Sequence, residues 1–425
     1  MLVLEFFIFT TVVILGLKKK GSLGLMSVLG LLIYSLIFNK PIYKPALSLG
    51  LIILSVITAS SSLAASGGIK LIANIIEKII IKHRTFITII APLFTFFATI
   101  LCGTSYIVLT ILPLVAKISI EERIKPIYPL TACVIAANHG SLCSPISSPF
   151  LATTHLLRLN SNYILITMFI SCFIGLLATI LFNFISQRID LKKENNIDFD
   201  NIKFEIDNID FDIKKAKKAV LIFISGISLL FFYGLYNKIR PKFIINNEIS
   251  GCDMTLLIPL VMFSIGAIIS IICNIKIKDI LEQKTMEFGF QSIITILGIS
   301  WLSASLIENS RSEILILLNN FLKYHDFFFG IILFLASIFL ASQTAAILTI
   351  LPLGITLGFS DIKLLSILPF VDGLFFIPLT AIFSYAVECD KTGSTKSGKY
   401  ILDHSLMIPG AIATLTSVIV MFTLV

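Results

Sequence analysis

The stretch Cys102–Leu114, CGTSYIVLTILPL, decides how this chain is read. An apolar run is interrupted by the polar knot Gly103-Thr104-Ser105 and then resumes toward Pro113. A second stretch, Ala341–Leu353, ASQTAAILTILPL, has the same form. The offset that maps Pro113 onto Pro352 also maps Thr110 onto Thr349 and sets Gly103-Thr104-Ser105 against Ser342-Gln343-Thr344. Pro129 falls near Pro369 with a one-residue slip. Knot, spacing and later proline together read as an internal duplication, with repeats over about Ile57–Leu151 and Leu297–Glu388.

Composition sets the solvent in which those knots must be explained. Of the 425 residues 56% are hydrophobic and only 14% charged, too little charge to cover a soluble surface of this size. Long apolar runs lie at Ala46–Ala64, Tyr163–Ser186, Ala219–Tyr236, Thr255–Cys273 and Tyr400–Val425. Each approaches the length of about 20 residues that a helix needs to cross a bilayer. The runs are solidly apolar and do not alternate, which excludes a membrane β-barrel. The expected fold is an all-α polytopic membrane protein with about 10–12 transmembrane segments. Its two repeats, expected to be inverted, carry broken helices and re-entrant hairpins.

The expected organisation has N-terminal transmembrane helices over 1–56, then the first repeat and a following helix over 57–186. A polar extramembrane linker covers 187–218, connecting helices 219–296, and the second repeat with a C-terminal helix 297–425. The linker holds eight basic and eight acidic side chains and no stretch able to span. Met1–Leu17 is apolar from the start and is followed by Lys18-Lys19-Lys20. That is the reverse of a cleavable signal, and it places the lysines in the cytoplasm. The net charge of +8 suits loops beside anionic lipid and shows no stripe for nucleic acid. The cysteines lie mostly within apolar runs and form no metal-binding pattern. No triad, HExxH or phosphate-cradling loop is present, so neither an enzyme nor a cofactor is expected.

A polar break in a helix leaves N–H and C=O groups without intrahelical partners. In lipid these groups must be satisfied or face a water-filled cavity. Gly103, Thr104, Ser105, Ser342, Gln343 and Thr344 are therefore the first candidates for substrate contact. Small polar residues that merely pack helices together are the plainer reading of either knot alone. Each repeat continues to a second break. In the first it is Ala136–Pro149, AANHGSLCSPISSP, with Asn138, Ser144 and Pro145 as candidates; in the second it is Leu368–Pro378, LPFVDGLFFIP. Asp372 among aromatics is a candidate for binding a coupling cation, carrying a proton or pairing with a lysine. His139 is a second proton candidate. Ser66–Arg84 is amphipathic and reads either as a hairpin arm or as an interfacial helix.

These segments resemble one family, the anaerobic four-carbon dicarboxylate transporters of the Dcu type. LCGTSYIVLTILPL, IKPIYPLTACVIAANHGSLCSPIS and ASQTAAILTILPLGITLG are similar to three of its motifs. ECDKTGSTKSGKYILDHSLMIPG is similar to a fourth, long and specific one. The resemblance implies exchange of fumarate, malate, aspartate and succinate across a bacterial inner membrane. It also adds Asp390, Thr392, Gly393 and Ser394 to the implied site. The chain departs from the pattern where the family has a lysine and this sequence has Leu348. Lys125 and Tyr128 stand where the family has two arginines. Charge compensation for a dianion would then fall to Lys125, Lys70 or helix N-termini. Expected partners are a small-molecule dicarboxylate and the bilayer, with a homo-oligomer left open. Two other readings stay beside this one: a carrier of the same fold for another small anion or amino acid, coupled to a cation or proton, and a membrane regulator that has lost transport.

Overall fold

The computed structural model describes residues 2–18, 23–45, 47–82, 84–191, 212–235, 239–245, 248–251, 254–310, 312–313, 326–340, 342–377, 380–396 and 403–425. Most of the linker, 192–211, lies outside them; the helix before it runs to Asp190 and the next begins at Ile213.

The first helices are α1 (Leu2–Lys18), α2 (Leu23–Phe38), α3 (Leu47–Ala65) and α4 (Gly68–Lys82). Then follow α5 (Ile87–Cys102), α6 (Val108–Glu121), α7 (Ile127–Cys143), α8 (Ser148–Leu156) and α9 (Ser161–Asp190). After the linker come α10 (Ile213–Leu235), α11 (Met254–Cys273), α12 (Ile277–Leu281) and α13 (Lys284–Asn309). The last are α14 (Asp326–Leu340), α15 (Gln343–Thr356), α16 (Asp361–Ser366), α17 (Ala381–Cys389) and α18 (Met407–Leu424). One small antiparallel hairpin, β1 (Lys242–Ile245) with β2 (Glu248–Gly251), departs from the all-helical expectation. It sits between α10 and α11. Four helical segments among the described residues are long and apolar enough to cross a membrane: Arg84–Cys102, Ser161–Asp190, Leu256–Cys273 and Met407–Leu424.

Packing separates two groups of helices. The first joins α1 to α2, α2 and α3 to α13, and α3 to α11, with α10 beside α11. The second joins α5 to α7, α7 to α9 and α9 to α18. Phe96 of α5 anchors this second group, packing at 5.9 Å and 5.7 Å on Phe169 and Phe173 of α9. The two halves of the sequence meet where α15 packs on α8 and α17 on α6 and α7. α4 packs on α10 and also touches α3, α5 and α6.

The first group is stapled by a buried carboxylate. Glu5 of α1 is 0% exposed. Lys40 Nζ lies 2.6 Å from its Oε1, Tyr34 donates to its Oε2 at 3.5 Å, and Ser310 donates to the same oxygen. Trp301 Nε1 donates to Tyr43 O at 2.6 Å and Asn309 to Pro41 O at 2.8 Å. The chain between α2 and α3 is thereby fixed to α13. Replacing Lys40 by methionine strands a charge and is expected to cost about 1–3 kcal/mol. The thermal midpoint in detergent should fall, and Glu5→Gln in the same chain should recover part of it. An unchanged midpoint for Lys40→Met would remove the staple from the account.

Candidate functional site

Each sequence knot becomes a helix break. α5 ends at Gly103, which takes the left-handed conformation at φ 68°. Only glycine reaches that region without strain. Thr104 is then extended at φ −145°, ψ 134°, and the chain turns through a 3-10 turn, Ser105–Ile107, into α6. In the second half Ser342 is extended at φ −156°, ψ 122° and starts α15 directly. Backbone geometry thus pairs Thr104 with Ser342, one residue off the sequence offset. The first half reaches its proline in one residue fewer, and its path runs through a 3-10 turn, which rises about 2.0 Å per residue against about 1.5 Å in an α-helix. The two prolines of the matched motif do not end their helices: Pro113 lies inside α6 and Pro352 inside α15.

The second breaks are also alike, and the first of them falls later than its polar letters suggest. α7 remains helical through Asn138, His139 and Gly140 as far as Cys143. Such residues cost a helix only about 0.5–1 kcal/mol each, less than leaving its backbone groups unpaired away from water. The helix stops at Ser144 because Pro145 follows, and the residue before proline is driven out of the α region. Ser144 takes ψ 124° accordingly. Ser147 then caps α8 at φ −81°, ψ 152°, and Thr380 caps α17 at φ −78°, ψ 137°.

These helix starts surround a cavity of about 280 Å³. Gly103, Thr104 and Ser105 line it from the first break, and Ser342, Gln343 and Thr344 from its partner. Asn138 and Ser141 of α7 also line it, as do Ser148 and Pro149 of α8 and Thr380 of α17. Ser60 of α3 and Thr285 of α13 come from the other packing group. Three of the N-cap hydroxyls are set up alike. Thr104 Oγ1 accepts from Tyr106 N at 3.3 Å, Ser342 Oγ from Ala345 N at 3.2 Å, and Thr380 Oγ1 from Phe383 N at 3.4 Å. Each oxygen accepts from its own helix, and among the described residues no acceptor takes its proton, so each hydroxyl is able to donate into the cavity. Ser147 differs, because its hydroxyl donates to Ser144 O at 2.9 Å.

Behind the cavity wall lies a buried polar cluster. Gln343 Nε2 donates to Asp372 Oδ1 at 3.0 Å and to Asn138 O at 3.3 Å. Asp372 sits between two 3-10 turns, Leu368–Val371 and Gly373–Phe375, and is 3% exposed. Its Oδ2 is 2.6 Å from His139 Nδ1, a close contact that lies off the axis of a linear hydrogen bond. The other ring nitrogen, Nε2, is 3.2 Å from Ser417 Oγ of α18.

Other expected site residues lie elsewhere. Ser144 donates to Ile100 O at 2.8 Å, and Pro145 lines a separate, smaller and mostly apolar pocket that also holds Arg240. Lys125 Nζ is paired with Asp190 at 2.6 Å. Lys70 is half-buried on α4 and does not line the cavity. Leu348 is buried within α15 and does not line it either. No lysine, arginine or histidine is among the described lining residues. Asp390 spends its carboxylate on its own loop. It accepts from Thr392 N and Oγ1 at 2.9 and 2.6 Å, from Ser394 Oγ at 2.7 Å and from Thr395 N at 2.5 Å. Ser394 Oγ in turn accepts from Ile127 N at 3.2 Å, capping α7. Gly393 takes φ 68° in that turn.

Sequence reading missed Thr380, Thr285 and Ser60. Thr380 had a signal, an N-cap threonine opening a helix in the second half. Thr285 and Ser60 had none, since they come from helices outside the motif pairs.

A family model described as "Anaerobic c4-dicarboxylate membrane transporter" matches residues 1–425. The chain is 29% identical over 421 residues to the anaerobic C4-dicarboxylate transporter DcuB of Escherichia coli O6:H1, covering 95% of this chain and 93% of that one. It is 29% identical over 435 residues to the C4-dicarboxylate transporter DcuA of Escherichia coli K12, covering 100% and 99%. Against DcuA of Wolinella succinogenes it is 29% identical over 425 residues, covering 97% and 96%. With paired helix breaks around one polar cavity and a full-length match, the chain belongs to the DcuA/DcuB family of anaerobic C4-dicarboxylate membrane transporters.

Proposed function

We propose that this protein is a secondary carrier that exchanges four-carbon dicarboxylates across a bacterial inner membrane by alternating access. The repeats would be inverted, and their tips would meet in the cavity. One observation carries the reading: four helix N-termini, at Thr104, Ser148, Ser342 and Thr380, converge on a cavity with no basic side chain among its described lining residues. Each helix N-terminus presents about +0.5 of an elementary charge. Four of them offer about +2, the charge a dicarboxylate needs, and cap hydroxyls supply directed donors to its oxygens. This answers the loss of the family lysine at Leu348, and neither Lys125 nor Lys70 is required. His139 and Asp372 act as a fixed pair behind the site, and Asp390 as a loop latch.

The test is counterflow of labelled aspartate or fumarate into proteoliposomes preloaded with succinate. Uptake should depend on the internal dicarboxylate. Thr104→Ala and Ser342→Ala should each weaken apparent affinity about fivefold to tenfold, the value of one hydrogen bond to a charged group. No counterflow with any dicarboxylate would remove the substrate assignment. Unchanged affinity in both variants would remove the cap hydroxyls from the site.

A further inference from the structure

We propose that Gln343 Oε1 is a fixed hydrogen-bond acceptor in the site, selecting four-carbon dicarboxylates that carry an amino or hydroxyl group beside a carboxylate. The proposal rests on the dicarboxylate reading above and deepens it.

Gln343 is 6% exposed and lines the cavity. Its two amide protons face Asp372 Oδ1 and Asn138 O, both acceptors. Turning the amide over would set its oxygen against a carboxylate and a backbone carbonyl, so the orientation is dictated by chemistry. The His139–Asp372 pair enforces it. Asn138 O is a backbone carbonyl and can only accept, and the His139 contact is on Oδ2, which leaves Oδ1 facing the Gln343 amide. Asp372 is held further by Thr414 Oγ1, which donates to its backbone oxygen at 3.3 Å, and His139 by Ser417. Gln343 Oε1 has no partner among the described residues and is left to the cavity.

The wall is therefore chemically divided. Thr104, Ser342 and Thr380 offer hydroxyl donors, which suit carboxylate oxygens. Gln343 offers only an acceptor. A succinate or fumarate dianion has no donor, and an oxygen placed there meets another acceptor. An α-ammonium group brings three donors and an α-hydroxyl brings one. A buried acceptor left unpaired by the bound substrate should weaken binding about tenfold or more.

The experiment is competition for labelled aspartate counterflow by unlabelled L-aspartate, L-malate, succinate and fumarate, at about pH 8 where every carboxyl is ionised. Wild-type protein should bind aspartate at least about tenfold more tightly than succinate, with malate between them. Gln343→Met, close in size but without an acceptor, should shrink that ratio at least about fivefold. Asp372→Asn, which lets the Gln343 amide turn over, should shrink it in the same direction. Ligand-induced shifts of the wild-type melting temperature should give the same ranking without any variant. Equal affinities in wild type, or a ratio that survives both substitutions, would overturn the proposal while leaving dicarboxylate exchange intact. Counterflow with no dicarboxylate would overturn both.

Discussion

Replacing Asp372 by alanine is expected to reduce counterflow below detection and to lower the thermal midpoint together. The carboxylate holds two polar side chains at once, the His139 ring at 2.6 Å and the Gln343 amide at 3.0 Å. Removing one partner of a buried pair costs about 3–5 kcal/mol, because the other is left without compensation. His139 is 1% exposed and has no route to solvent in which to recover it. Stability and positioning can be separated by a second variant. Replacing His139 and Asp372 together by leucine removes both polar groups, and exchanges of a pair for apolar residues are often neutral in stability. That double variant should recover much of the midpoint while the preference for aspartate over succinate stays lost, since Gln343 still lacks its carboxylate. Counterflow at the wild-type rate in Asp372→Ala would exclude the pair from the working site.

Gly103→Val is expected to have the next largest effect. The residue holds φ 68°, which costs a residue with a side chain about 1–2 kcal/mol. A Cβ there would stand 2.7 Å from Ile146 Cγ1 and 3.3 Å from Ile146 O. Such overpacking adds about 1–3 kcal/mol. The strain falls on the residue before Thr104, so the cap hydroxyl and the first break move with it. Transport should be lost and the midpoint lowered. Gly358→Ala is the comparison, because Gly358 has φ 83° with nothing within 4 Å of the added atom. It should cost only the backbone term and leave transport unaltered. If Gly103→Val matched Gly358→Ala in both readouts, close packing at the first break would not matter.

Much of this architecture is legible in the letters, and the limits have physical causes. Apolar runs announce helices because lipid permits little else. The GTS and SQT knots locate two breaks because polar residues in such runs need a reason. The third break is announced by Pro145, which acts on its neighbour, so the polar letters of Asn138 to Ser141 mislead by up to one and a half turns. Asp372 and His139 are each visible as oddities, yet nothing in spacing links two residues that meet only through packing of α7 against the second half. The proposed charge supply, helix N-termini, is one of three that the sequence offers beside Lys125 and Lys70, and no letter selects it, because backbone N–H groups are common to nearly every residue.

The cap that Ser394 places on Ile127 has a consequence for how the molecule is made. The two residues are 267 apart in sequence, and His139 finds Ser417 across 278. Chains leave the ribosome N-terminus first. When the first half enters the bilayer, α7 has an open start and a histidine with no counterpart. In lipid such groups attract whatever can satisfy them. The nascent protein must therefore be sheltered until its last helix arrives, and a chain cut at the linker should be a substrate for quality-control proteolysis rather than half a carrier.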